Sequence, residues 1–194
     1  NGATSLSLLN SIRTDSVFQN AVLQSEVITW NIGIVDLMNA RNSYKNKKCG
    51  GTDNQDCLRS ALIKFKSNWD GIISEILIRR GITYTIIRTT DIYNPWVATD
   101  KGKNTTPDKS EATVKGNDFQ VLKYYFDQIN AHIATTTTNN QIPCAHVYFT
   151  FNGSNGDEDP VAQGDIARDG LHPSDAGHQL IASLLRGLGY APLR

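Results

Sequence analysis

The sequence predicts an α/β fold in which a mostly parallel sheet carries helices on both faces. Three short segments rich in β-branched residues alternate along the chain with longer segments whose apolar residues recur at helical spacing. This alternation favours parallel strands, because a crossover helix returns the chain to the same edge of the sheet. In such sheets ligands bind at the carboxyl ends of the strands, so the loops that follow the strands are the candidate site.

Size and composition fit one globular domain. The chain has 194 residues, 39% of them hydrophobic, and 19 basic residues balance 19 acidic ones. One domain over residues 1–194 is expected, since domains average roughly 150 residues. The zero net charge gives no sign of a nucleic-acid partner. The apolar runs are far shorter than the ~18 residues of a membrane span, so no integral membrane span is expected.

The first half of the chain predicts two helices and one strand. Residues 6–18 show helical spacing of their apolar side chains, and residues 26–33 form a short β-branched run that ends in glycine and predicts a buried strand. After a polar loop, apolar residues recur at three- and four-residue steps over 58–77. Gly81 ends this long helix.

The second half repeats the pattern. Residues 82–89 predict a strand, and residues 97–117 predict a long polar loop. Residues 119–133 predict a helix, and the Thr- and Asn-rich run 135–140 is expected to lie after its end. Residues 145–151 predict the third strand.

The cysteines suggest one disulfide. Cys49 and Cys57 flank a polar, Gly-rich stretch that a disulfide can close, which would suit an oxidising compartment; two free thiols are the alternative. Cys144 is either buried and free or paired outside the chain. A metal site would need more ligands at close spacing, so none is expected.

The motif Asp169-Gly-Leu-His172-Pro-Ser174 has the strongest chemical character. It follows a polar loop, and Ser174 can cap the last helix. Asp169 can accept the proton of one imidazole nitrogen of His172 and leave the other nitrogen free as a base. A polar turn without catalytic function is the alternative. His178 lies within the helix, where packing or surface exposure is expected.

Two further segments lie where a reacting group can bind. The turn after the first predicted strand contains Gly33-Ile-Val35-Asp36, and Gly2 lies just before the first predicted helix. A glycine at a helix N-terminus leaves a bare backbone N–H that can stabilise an oxyanion. An ordinary turn and an ordinary helix entry are the alternatives.

In their order along the chain, the three segments resemble the conserved blocks of the SGNH or GDSL-type esterases and lipases, and the resemblance covers essentially the whole chain. The resemblance implies a three-layer, flavodoxin-like α/β/α fold and hydrolysis of carboxylic esters, with no cofactor. It also implies that His172 is the base, Asp169 its orienting partner and Gly2 an oxyanion-hole donor, with Val35 standing where the family has an oxyanion-hole Asn. A secreted enzyme acting on a small-molecule or lipid ester is expected.

The chain departs from this family in lacking its first block, Gly-Asp-Ser. The nucleophilic serine is therefore unknown and not expected in this chain, and the early serines lie in no matching motif: Ser5, Ser7, Ser11 and Ser16. The family's first strand is also missing, so an N-terminal fragment of the same protein is expected as a partner. Val35 cannot donate a hydrogen bond, and losing one such donor costs about 10²–10³ in rate.

Two other functions stay open at this point. A non-catalytic relative would be a binding module for carbohydrate or lipid. A flavodoxin-like ligand-binding or signalling domain would make the Asp169/His172 pair incidental, but the chain has no Gly-rich phosphate loop.

Overall fold

A small parallel sheet organises the structure, a computed structural model that describes residues 2–106 and 112–192. Strands β1 (Val27–Trp30), β2 (Ile86–Thr90) and β3 (Cys144–Ala145) lie side by side in that order, and both neighbouring pairs are parallel. The α/β fold with a parallel sheet is therefore confirmed.

Eight helices occur in these two ranges. They are α1 (Ser5–Thr14), α2 (Ser16–Gln24), α3 (Ile34–Lys45), α4 (Asp56–Arg79), α5 (Val97–Lys101), α6 (Asp118–Asn139), α7 (Val147–Asn152) and α8 (Asp175–Gly187). Helix α4 packs against α1, α3 and α6, while α8 packs against α7 and β3. None of the helices in the described ranges is both long and apolar enough to cross a membrane.

The central strand β2 shows that structure covers both faces of the sheet. Side chains alternate between the faces along a strand. Ile87 packs into the large apolar cluster that includes Trp69 of α4 and Phe126 of α6. The next side chain, Arg88, donates to the carbonyl oxygen of Ala191 at 2.9 Å, in the segment that follows α8. Layers of structure therefore lie on opposite sides of β2.

Strand β1 is shorter and more exposed than the sequence predicts. The predicted strand covers residues 26–33, but β1 ends at Trp30, and Val27 is 51% exposed where a buried strand was expected. Within the described residues β1 pairs only with β2, so it lies at the edge of the sheet. Exposed and half-buried residues alternate along β1, because successive side chains point to opposite faces of the sheet.

The helices of the first half differ from the prediction in two places. The helix predicted over residues 6–18 is two helices, because the carboxylate of Asp15 accepts the N–H groups of Val17 and Phe18 and so caps α2. Helix α3 follows Gly33 directly, where only a turn and a loop were expected. The buried residues of α3, Leu37, Ala40 and Tyr44, recur at three- and four-residue steps, a signal present in the sequence.

The third predicted strand is mostly wrong. Residues 145–151 were expected to be extended, but β3 ends at Ala145 and helix α7 begins at Val147. The carboxylate of Asp91 accepts the backbone N–H of Tyr148 at 2.7 Å, and a negative charge at a helix N-terminus favours the helix. The partner that decides this segment therefore lies more than fifty residues away along the chain.

The threonine run and the long polar loop also contain helix. Helix α6 continues through the run to Asn139. The hydroxyls of Thr136 and Thr137 donate to carbonyl oxygens one turn earlier, at 2.8 and 2.7 Å, so both hydroxyls find a partner within the helix. Helix α5 lies within the predicted loop 97–117. Residues 107–111 of that loop lie outside the described residues.

The cysteine prediction is confirmed. Cys49 and Cys57 form a disulfide, with their Cα atoms 4.7 Å apart. It joins the loop after α3 to the first turn of α4. Cys144 carries a free thiol, and burial raises its pKa to about 12. A thiol with so high a pKa is unreactive at neutral pH.

The disulfide should contribute to the stability of the domain. Replacing both cysteines (Cys49→Ala with Cys57→Ala) is expected to lower the free energy of unfolding by about 2–3 kcal/mol, because a cross-link across a short loop restricts the unfolded chain. Denaturant unfolding with and without reductant measures this. Reductant should destabilise the wild type by the same amount and leave the variant unchanged; a wild type insensitive to reductant would contradict the expectation.

Candidate active site

A tight turn fixes the orientation of His172. Asp169 Oδ1 accepts the backbone N–H groups of Leu171 and His172, both at 2.9 Å, and Asp169 Oδ2 lies 2.7 Å from His172 Nδ1. The hydrogen bond to His172, with the two backbone donors, lowers the pKa of Asp169 to about 2. An ionised carboxylate only accepts hydrogen bonds, so Nδ1 donates to it, and in the neutral ring Nε2 keeps its lone pair. The predicted Asp169–His172 hydrogen bond is confirmed.

The chain on either side of this turn is also held in place. The backbone N–H of Ala167 donates to the carbonyl oxygen of His172, and that of Ser174 to the carbonyl oxygen of Asp165, both at 2.8 Å. The Ser174 side chain accepts the N–H of Gly177 and so caps α8, as predicted. The turn is therefore a short antiparallel bridge closed by a helix N-terminus.

Tyr93 connects the turn to the sheet. Its hydroxyl donates to the carbonyl oxygen of Leu171 at 2.7 Å, and burial raises the pKa of the phenol well above its usual value. The phenol therefore stays protonated and keeps its donor at any working pH. Sequence analysis missed this residue, because nothing in a Tyr three residues after a strand shows which distant carbonyl it reaches.

The three segments singled out in the sequence meet in one cleft of about 780 Å³ at the carboxyl end of the sheet. Gly2, Val35 and His172 all line it. Apolar side chains form much of the wall, namely Ile32, Ile34, Met38 and Ile181. His178, expected in packing or on the surface, is exposed and also lines the cleft. A cleft with an apolar wall and one oriented imidazole suits a substrate with an apolar part.

Asp36 couples the two segments that contain Gly2 and Val35. Its carboxylate accepts the backbone N–H of Ser5 at 2.9 Å and the hydroxyl of Ser5 at 2.6 Å. Ser5 is fully buried and is the first residue of α1. The N-terminus of α1, with Gly2 just before it, is thereby tied to the N-terminus of α3.

Val35 presents an apolar side chain to the cleft, and the nearby Asn31 does not replace the missing donor. The amide nitrogen of Asn31 donates to Thr90 Oγ1 and, at 3.3 Å, to the carbonyl oxygen of Asp91. An amide nitrogen has two hydrogens, so both are used within the fold. In this arrangement Asn31 connects β1 to β2.

A second Asp–His pair lies nearby and was missed by the sequence analysis. His146 Nδ1 is 3.2 Å from Asp91 Oδ2, directly after β3 and β2 respectively. Unlike Asp169, Asp91 is buried, and burial raises its pKa despite the hydrogen bonds from Tyr148 and His146. In the described part of the chain, no group of three or more His, Cys, Asp or Glu side chains is arranged to hold a metal ion.

The family follows from comparison of the whole sequence. The family model of the GDSL-like lipases/acylhydrolases matches residues 1–185. The chain belongs to this family. As a GDSL-family member it is a hydrolase, and the family supports hydrolysis of esters in general. No curated protein matches this GDSL-family chain.

Solved structures share the fold. The chain is similar to the lipase Lip_vut3 from a goat rumen metagenome, with a TM-score of 0.72, 18% identity, and coverage of 98% of this chain and 76% of that one. It is also similar to a GDSL-like lipase from Bacteroides thetaiotaomicron, with a TM-score of 0.54, 15% identity, and coverage of 97% and 71%. The acetyl xylan esterase AlAXEase is similar as well, with a TM-score of 0.53, 14% identity, and coverage of 97% of this chain and 77% of that one.

The glycine after the Asp169–His172 motif should be essential for the geometry of the turn. A Cβ on Gly177 would lie 2.2 Å from the carbonyl oxygen of Asp165, so Gly177→Ala must displace α8 or the turn. We expect a loss of roughly 1–3 kcal/mol in the free energy of unfolding. Denaturant unfolding tests this, with Gly187→Ala as control: in the same helix, its added Cβ meets nothing within 4 Å. Equal effects of the two substitutions would contradict the steric argument.

Proposed function

We propose that this chain supplies the base and part of the oxyanion hole of a serine esterase, and that a segment outside residues 1–194 supplies the nucleophilic serine. The observation that carries the proposal is the Asp169–His172 pair, with its free Nε2, in the same cleft as Gly2. That arrangement matches the base and orienting carboxylate of a Ser-His-Asp triad.

The reaction would be acyl transfer in two steps. The serine attacks the ester carbonyl while Nε2 of His172 takes its proton, and Asp169 stabilises the imidazolium that forms. The N–H of Gly2 and that of the serine itself donate to the tetrahedral oxyanion. The imidazolium then protonates the leaving alcohol. Water then attacks the acyl-enzyme while His172 takes its proton, the bond to the serine oxygen breaks, and the imidazolium returns the proton to the serine as the acid leaves.

Two observations support a serine from outside these residues. The described residues that line the cleft include no serine, and the Ser5 hydroxyl is buried against Asp36. Strand β1 also pairs on one side only within the described residues, so its other side can accept a strand from an N-terminal segment. The disulfide suits an oxidising compartment, and we propose that the protein is secreted.

Activity-based labelling tests this function. We expect a fluorophosphonate probe to label the full-length protein on one serine outside residues 1–194, and His172→Ala to slow labelling by at least about 10³-fold. His132→Ala is a matched control, because His132 also pairs with a carboxylate, Asp70, at 2.7 Å but lies between α4 and α6. Its labelling rate should be unchanged.

Two results would contradict the proposal. Labelling of a serine within this chain, such as Ser154 near the Asp91–His146 pair, would move the active site. A full-length protein that no probe labels would support the non-catalytic binding module for carbohydrate or lipid, an alternative favoured by Val35 and by the serine-free cleft lining.

Val35 should limit the rate rather than the binding of substrate. In the full-length enzyme, Val35→Asn is expected to raise kcat, by up to about 10²-fold, with little change in KM, because an oxyanion donor acts mainly in the transition state. Asn31→Ala should instead lower stability, since Asn31 holds Thr90 and Asp91. Kinetics on a short-chain aryl ester and thermal unfolding distinguish the two. An unchanged kcat in Val35→Asn would show that the turn after β1 does not contact the oxyanion.

A further inference from the structure

A second cavity, distinct from the His172 cleft, is lined by Asp91, the residue directly after β2. It has a volume of about 320 Å³ and shares no lining residue with the cleft. That volume is within the range of about 300–1,000 Å³ typical of small-molecule sites. One wall is helix α6, and the opposite wall is α7 with the loop that follows it.

The cavity combines buried polar groups with an exposed aromatic ring. Asp91, at 4% exposure, and Tyr148, at 2%, are among the residues that line it. Phe149, which is 54% exposed, also lines it, together with the small side chains of Ala131 and Ala134. Phe149 thus offers an accessible aromatic face next to the polar groups of the cavity.

The polar groups are arranged to bind hydroxyls rather than ions. Asp127 accepts from the Tyr148 hydroxyl and from Lys123, both at 2.7 Å, so its charge is already compensated. His146 Nδ1 faces Asp91, which leaves Nε2 as an acceptor in the neutral ring. Lys123 adds donors, and Asn155 at the rim adds both donors and an acceptor.

We propose that this cavity binds a pyranose unit of a carbohydrate. Such a ring offers an apolar C–H face to Phe149 and hydroxyl groups to Asp127, Lys123 and His146. Lys123, the cationic side chain among the lining residues, is already paired with Asp127 at 2.7 Å, which disfavours an anionic ligand. The binding step forms no covalent bond and does not depend on the nucleophile, so it stands independently of the proposed esterase activity.

Calorimetric titration of the full-length protein with xylotetraose, cellotetraose and chitotetraose tests this site. We expect at least one of them to bind, and Phe149→Ala and Asp127→Asn each to weaken that binding by about tenfold or more. Tyr84→Ala is the matched control, since Tyr84 is 77% exposed but lies away from the cavity. The control should bind like the wild type, as should His172→Ala, whose substitution lies in the other cleft.

Three outcomes would overturn the proposal: no binding of any of the three oligosaccharides at millimolar concentration, binding that the two cavity substitutions leave unchanged, or binding of n-butylammonium chloride in their place. Fluorophosphonate labelling of the same variants separates the two sites. The Phe149→Ala and Asp127→Asn proteins should label at the wild-type rate.

Discussion

The buried polar residues directly after the central strand β2 are the constraint on which the rest of the structure depends. Strand β2 is buried along its whole length, and Asp91 and Tyr93, which follow it, are buried as well. A buried polar group without a partner costs roughly 1–3 kcal/mol, so these side chains must find donors and acceptors elsewhere in the chain. The Asp91 carboxylate accepts the backbone N–H of Tyr148 in the first turn of α7, and the Tyr93 hydroxyl donates to the carbonyl oxygen of Leu171. The loops that form both cavities are thereby fixed to one short segment.

The difference in burial explains why the two Asp–His pairs have different chemical properties. Asp169 is half exposed, and its hydrogen bonds hold its pKa at about 2, so it is a full charge beside His172. Asp91 is buried, and desolvation raises its pKa despite the hydrogen bonds that it accepts. An ionised carboxylate stabilises an imidazolium, so Asp169 is the better placed of the two to support a histidine that acts as a base.

Local signals account for what the sequence could predict. The Asp169-to-Ser174 motif needs only a turn and a helix cap, and the Cys49–Cys57 disulfide spans eight residues. Both are decided within one loop. The alternation of helices with β-branched runs was likewise sufficient for the fold class.

Contacts between distant residues account for what it could not predict. The run after Ala145 has the composition of a strand, yet it is helical because Asp91 binds its first turn. The contact of Tyr93 with Leu171 spans 78 residues, and that of Asn31 with Thr90 spans 59. No periodicity in the sequence indicates such pairs. Helix α3 is different, since the spacing of its buried residues, Leu37, Ala40 and Tyr44, is a local signal of a helix.

The central claim is that Asp169 holds His172 in one tautomer, with Nε2 free toward the cleft. Nitrogen-15 NMR of the imidazole at mildly alkaline pH, where a histidine ring is neutral, measures this directly. The account predicts a protonated Nδ1 and an unprotonated Nε2 in the wild type, and a mixture of both tautomers in Asp169→Ala. A wild-type ring that already exchanges between the two tautomers, or that carries its proton on Nε2, would contradict it.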